Sequence, residues 1–182
     1  MRHDASTGAR MLVSVHSTAL GPAAGGTRMK VYASPDDAAR DAMRLGGAMT
    51  RKNAVASLPL GGGKGVLAVP ALPSGPERRD LMHRYGGFIA TLRGSYVTAC
   101  DMNTTEADMD AIAEVCPHVL GRSVAAGGSG SSAPATATGV LHAIRAALAA
   151  VDGSPDPAGR TVLVQGTGAV GALLAGSLAE QG

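Results

Sequence analysis

Lys52 and Lys64 stand twelve residues apart (64 − 52 = 12), and the second closes the run Leu60-Gly61-Gly62-Gly63-Lys64-Gly65. Two ammonium groups converging in a cleft lower one another's pKa, and burial pushes the same way. A lysine made neutral at pH 7 is a general base, and a charged one holds a carboxylate. The plainer reading is two ordinary surface lysines. The run is not a phosphate-cradling loop. That loop needs a glycine where Leu58 stands and a hydroxyl residue for magnesium where Gly65 stands. The next chemically useful residue is Asp101, at the C-terminal end of the apolar run Ser95 to Cys100. Open α/β sheets place their ligands at such ends, and a carboxylate there can exchange protons with a substrate amine. Against this, Asp101 could simply cap the following turn through Asn103 and Thr104.

A second signal lies near the C-terminus. Thr161-Val162-Leu163-Val164-Gln165 leads into Gly166-Thr167-Gly168-Ala169-Val170-Gly171, a G-x-G-x-x-G pattern between an expected strand and an expected helix. In dinucleotide folds Gly166 makes the tight turn, Gly168 lets the backbone approach a pyrophosphate, and Gly171 lets helix pack on strand. A tight βα turn without a ligand would use the same glycines. The acid that binds the adenosine ribose is expected about 20 residues further on, beyond Gly182. The segment is therefore expected to be the opening βα of a nucleotide domain.

These residues need elements to hold them. A strand is expected over Met11 to His16, a Gly/Pro loop over Gly21 to Gly26, and an extended run over Thr27 to Val31. Ser34-Pro35-Asp36-Asp37 is a helix start, with a Ser cap, Pro in the first turn and acids near the positive end of the dipole. That helix is expected to reach about Met49. Extended segments over Ala54 to Leu58 and Gly65 to Val69 then flank a glycine loop. Ser74-Gly75-Pro76-Glu77 opens a helix to about Leu92, Ser95 to Cys100 is a strand, and Thr105 to Asp108 opens a helix ending near Pro117. The small, polar tract Ala125 to Ser132 suggests a hinge. An Ala-rich helix follows from Thr136 to about Val151, then a strand over Arg160 to Gln165. Strands alternating with helices predict an α/β fold: a substrate domain with a mixed, largely parallel sheet and flanking helices, followed by the first strand and helix of a Rossmann domain. The boundaries predicted are 1–128 for the substrate-binding domain, 129–158 for hinge and linker helix, and 159–182 for an incomplete NAD-binding domain.

Composition narrows the function classes. The chain has 182 residues, 26 of them Gly, 45% hydrophobic and 16% charged, which excludes a disordered chain. A net charge of +2 with only 2% aromatics gives neither the clustered cations nor the stacking rings of a nucleic-acid binder. Cys100 and Cys116 lack a CxxC spacing and are expected to be free thiols. The histidines are scattered without an HxxxH or HExxH pair, so no metal site is expected. No stretch reads as a membrane span and Met1-Arg2-His3-Asp4 lacks a signal-peptide core, so a cytoplasmic, soluble protein is expected. A core of Ala, Val, Leu and Gly buries little area per residue, which favours self-association into a homo-oligomer.

Four segments together carry a family resemblance: Leu20-Gly21-Pro22-Ala23-Ala24-Gly25-Gly26-Thr27-Arg28-Met29, Met49-Thr50-Arg51-Lys52-Asn53-Ala54, Leu58-Pro59-Leu60-Gly61-Gly62-Gly63-Lys64, and Asp101-Met102-Asn103-Thr104-Thr105-Glu106-Ala107-Asp108-Met109-Asp110. In this order they resemble the amino-acid dehydrogenases of leucine, valine and phenylalanine, cousins of glutamate dehydrogenase. The resemblance implies a substrate domain followed by an NAD domain, truncated here at both ends. It implies NAD-dependent oxidative deamination of an apolar L-amino acid to a 2-oxo acid and ammonia. Lys52 would pair with the substrate carboxylate, Lys64 would activate water, and Asp101 would carry the proton to and from nitrogen. Gly25 and Gly26 would line the pocket, with Ala24 and Ala99 on its side-chain end. Thr136 would stand on the cofactor side. Cys100 departs from the family, which has Glu there. Without the missing halves, a non-catalytic homologue that binds an amino or oxo acid, or only oligomerises, is the alternative.

Overall fold

A computed structural model of the chain describes residues 1–182. The chain falls into two compact units, Met1–Gly130 and Ser131–Gly182.

The first unit is a five-stranded sheet with helices on its faces. Its strands are β1 (Arg2–His3), β2 (Arg10–Ser17), β3 (Ala23–Lys30), β4 (Gly61–Ala68) and β5 (Tyr96–Cys100), arranged in the order β1-β2-β4-β3-β5. The sheet is mixed. β1 and β2 pair antiparallel, as do β2 and β4, whereas β3 runs parallel to both β4 and β5. The parallel part is thus the three strands that carry the candidate chemistry. Three helices flank them: α1 (Pro35–Val55), α2 (Gly75–Ala90) and α3 (Glu106–Ala113).

Side-chain caps start α1 and α3, whereas the Ser74 expected to cap α2 makes no cap hydrogen bond. Ser34 adopts an extended conformation and its hydroxyl accepts from the Asp37 N–H at 3.1 Å, closing the first turn of α1. Thr105 and Asp108 form a reciprocal capping box at the start of α3. The larger core lies on the α2 and α3 side, built from Met11, Met29, Leu67, Leu81, Met82, Tyr85, Ile89, Tyr96, Met109 and Ile112. The smaller one, Leu12, Ala38, Ala42 and Val66, lies under α1. Small residues there bring helix and sheet close together.

Close approach overturns two expectations, and continuation of α1 overturns a third. The Gly21 to Gly26 loop is strand from Ala23 onward, and the glycine loop before Lys64 is strand from Gly61. Glycine weakens isolated strands, yet it is required where backbones crowd. A Cβ on Gly25 would collide with the Gly63 carbonyl, and one on Gly62 with the Thr50 backbone of α1. The extended segment expected over Ala54 to Leu58 is instead the end of α1 and its exit turn, with Ser57 in the left-handed region at φ 53°. No breaker stands before it, so the helix runs on past Met49.

The second unit holds α4 (Ala133–Asp152) and α5 (Ala169–Ala179), and Arg145 of α4 donates to the Gln181 side chain, just past the end of α5, at 2.6 Å. The strand expected over Arg160 to Gln165 does not form. Strand backbone needs a neighbour to satisfy its N–H and C=O groups, and no second strand exists in this unit. Contrary to the composition argument, α4 is long and apolar enough by length and composition to cross a membrane. Its alanines raise the mean hydropathy, while His142, Arg145 and Asp152 interrupt the helix with polar groups.

Candidate active site

β4 and β5 deliver the two central side chains. Lys64 lies within β4 and only 5% of its surface is exposed. Asp101 follows the last residue of β5. The Lys64 ammonium Nζ is 3.0 Å from Asp101 Oδ2. The parallel register through β3 makes this contact possible, because β3 lies between β4 and β5, aligning Thr27 with both Gly65 and Cys100. Gly26, paired with Ala99, keeps the space beside the pair open: a Cβ there would meet the Cys100 carbonyl and the Asp101 side chain.

A third charged group joins them. Arg28 on β3 donates from Nε to Asp101 Oδ2 at 3.0 Å and from Nη1 to Asp41 Oδ2 at 2.9 Å. Asp41, on α1, also accepts from the Tyr32 hydroxyl at 2.8 Å and from Arg44 Nη2 at 2.9 Å. Sequence reasoning quoted Arg28 only as part of a motif and missed Asp41 and Tyr32. An Arg and an Asp thirteen residues apart on different elements (41 − 28 = 13) carry no local signal.

Electrostatics follow from burial and these partners. Burial pushes Lys64 below the usual lysine value; Asp101 opposes that shift, and the like charge of Arg28 adds to it. Of the two expected causes, burial is the largest, and Arg28 stands where repulsion by Lys52 was expected. Burial alone would raise Asp101, but the charge and hydrogen bond of Lys64, followed by Arg28, hold it below the usual carboxylate value. Cys100 beside it is half-buried and its thiol is pushed up to about 11, chiefly by desolvation. A thiol so raised is a poor nucleophile.

The loop after β5 is pinned from several directions. Thr104 Oγ1 accepts from the Asp101 N–H at 2.8 Å and donates to the Thr27 carbonyl at 2.8 Å. Asn103, left-handed at φ 59°, donates to the Met29 carbonyl at 3.0 Å. Arg78 reaches from α2 to the Asn103 carbonyl at 2.8 Å and to both oxygens of Asp108, with its Nη2 contact at 2.6 Å. So Thr104 caps Asp101, and not the reverse. The Asp101 carboxylate meets the two cations, with the Met102 backbone N–H as a further donor.

The remaining expected residues are placed less tightly. Ala24 is buried on β3, paired with Gly62 and Val97. Lys52 sits exposed in the last turn of α1 and makes no ion pair. Its neighbour Asn53 is buried and donates to the Gly61 carbonyl at 2.6 Å, tying the helix end to the start of β4.

In the second unit, Gly166 is left-handed at φ 93°, and a Cβ on Gly171 would collide with the Gly166 carbonyl. Gly168 is the N-cap of α5 and offers no side-chain cap, so the first N–H groups of that helix have no side-chain acceptor there. Thr136 is exposed on the first turn of α4, with its hydroxyl donating to the Ser132 carbonyl at 2.8 Å.

Fold and site define an α/β domain presenting a buried lysine paired with a half-buried aspartate at its parallel strands. Residues 3–118 match the family described as Glu/Leu/Phe/Val dehydrogenase, dimerisation domain, and the chain belongs to that family. It is 44% identical over 179 residues to valine dehydrogenase of Streptomyces virginiae, covering 98% of this chain and 49% of the relative. To leucine dehydrogenase of Geobacillus stearothermophilus it is 43% identical over 183 residues, covering 98% and 48%. Among solved structures, L-tryptophan dehydrogenase from Nostoc punctiforme superposes with a TM-score of 0.69 at 35% identity, covering 99% of this chain and 50% of that one. The hetero-hexameric glutamate dehydrogenase from Thermus thermophilus gives 0.78 at 31%, covering 93% and 42%. The chain spans about half the length of the relatives it matches.

Proposed function

We propose that this chain carries the substrate half of an NAD-dependent deaminase acting on an apolar L-amino acid and yielding a 2-oxo acid and ammonia. The observation that carries this reading is the buried Lys64 held 3.0 Å from Asp101, a base and an acid whose pKa values are each shifted by the other's charge. In this reading Asp101 exchanges a proton with the substrate nitrogen. Lys64, eased toward neutrality by burial, takes a proton from the water that adds to the imine carbon. Lys52 pairs with the substrate carboxylate. Gly25 and Gly26 line the pocket without side chains, and Ala24 and Ala99 leave room for an apolar side chain. The turn Gly166, Gly168 and Gly171 would hold the pyrophosphate of NAD, with Thr136 on the same side, and that group would supply the acceptor for the hydride on the amino-acid Cα. The domain division is 1–128, 129–158 and 159–182, in a cytoplasmic homo-oligomer.

The second reading is a chain that binds an amino or oxo acid without turnover. Two measurements separate them. Calorimetry with 2-oxoisovalerate shows binding under either reading, lost in Lys52→Ala. NADH formation from valine or leucine at alkaline pH, abolished by Lys64→Ala, supports the first. Oxo-acid binding with no NAD binding at millimolar cofactor supports the second. Light scattering should give a dimer or larger; a monomer at micromolar concentration would refute the oligomer.

A further inference from the structure

Resting on the deaminase reading, we propose that Arg28 is a positioning residue: by bridging Asp41 and Asp101 it fixes the Asp101 carboxylate so that Oδ1 is the oxygen that exchanges the proton with substrate nitrogen. Both cations that meet Asp101, Arg28 Nε and Lys64 Nζ, contact the same oxygen, Oδ2, each at 3.0 Å. Oδ1 takes neither. A carboxylate on a single Cβ would otherwise rotate and present either oxygen. Arg28 prevents this because its guanidinium is itself held at a second point, Nη1 to Asp41 Oδ2 at 2.9 Å. A planar fork held at both ends sets the plane of what it touches, which a lysine ammonium cannot do. Asp41 is in turn fixed by Tyr32 at 2.8 Å and Arg44 at 2.9 Å, so the chain of contacts anchors in α1. The Arg28 and Asp41 side chains are only 17% and 15% exposed, which keeps water from replacing the bridge.

The charged and titratable groups facing Asp101 are Lys64 from β4, Arg28 from β3, and, across Arg28, Asp41 from α1 with Tyr32. This arrangement gives Asp41 an effect of distinctive sign. As a bare negative charge, Asp41 would raise the Asp101 pKa, and neutralising it would lower that value. As the anchor of Arg28, Asp41 keeps a cation on Asp101, and neutralising it raises the value.

The test is the 13C carboxyl titration of Asp101 by NMR in the intact chain, independent of turnover. Arg28→Gln is expected to raise the Asp101 midpoint by about one pH unit. Arg28→Lys, which keeps the charge and loses the fork, raises it by less, and Asp41→Asn moves it upward too. If Arg28→Gln does not fold, Arg28→Lys decides alone. An unmoved midpoint in folded Arg28 variants, or a fall in Asp41→Asn, overturns the role. A shifted midpoint with no 2-oxo-acid binding in the unsubstituted chain overturns the deaminase reading and leaves Arg28's hold on Asp101 standing.

Discussion

At the residue scale, Asp4, Asp41 and Asp101 are each held below the usual carboxylate range where they meet a cation. Asp4, with a side chain 6% exposed, takes a two-point contact from Arg84 at 2.7 and 3.1 Å, which outweighs the upward push of burial. Asp41 and Asp101 are lowered in the same way by their own partners. A group whose native pKa lies below its unfolded value of 3.8 stabilises the fold above that value and loses the contribution as pH falls through its native value. The melting temperature is therefore expected to be level from pH 7 to about 5 and to drop below about 4. Arg84→Gln should melt lower at pH 7 and show a shallower acid decline. Circular-dichroism melts that stay constant to pH 3 would contradict this. Lys64 acts in the opposite range: its native value is below 10.5, so the contribution of this group grows as pH rises through that window.

At the element scale, glycine has two distinct roles that sequence does not separate. In β3 and β4 it permits contact. A Cβ on Gly62 would strike the Thr50 backbone, and one on Gly65 would strike the hydroxyls of Thr27 and Tyr85. Those hydroxyls belong to a buried set in which Thr27 Oγ1 lies 2.8 Å from Tyr85 and 2.7 Å from Thr98, and Tyr96 donates to the Gly25 carbonyl at 2.6 Å. In α2, by contrast, a Cβ on Gly87 would meet nothing within 4 Å. Gly62→Ala is expected to destabilise by about 1–3 kcal/mol through overpacking. Gly87→Ala should stabilise by roughly 0.5–1 kcal/mol by reducing unfolded-state entropy in a helix interior. Urea denaturation of the two variants checks the opposite signs, and equal effects would mean the glycine contacts carry no strain. The same crowding explains what sequence reading missed, since a Gly-Gly-Gly run looks like a loop until a parallel neighbour is placed against it.

At the scale of the whole molecule, the two units bury very different amounts. The first has a core of sixteen buried residues under α2 and α3, with a second cluster under α1. In the second, α4 buries only Ala133 and Ala137, and α5 only Leu174. Local opening free energy tracks buried apolar contact. Amide hydrogen exchange is thus expected to be slow in β3 and β4 and fast throughout α4, α5 and residues 160–165. Comparable protection in both units would overturn this.

What the sequence determined by itself was local: the caps at Ser34 and Thr105, the strand before Asp101, the tight turn at Gly166, and Lys64 and Asp101 as separate candidates for chemistry. Those follow from side-chain hydrogen bonding and backbone preference within a few residues. Only tertiary structure decided that the glycine runs are strands, that Arg160 to Gln165 stays unpaired, and that Arg28 and Asp41 complete the site. The Lys64–Asp101 contact bridges thirty-seven residues of chain (101 − 64 = 37), and no local preference reaches that far. It exists because β3 pairs in parallel with both neighbours and carries Arg28 beside the gap.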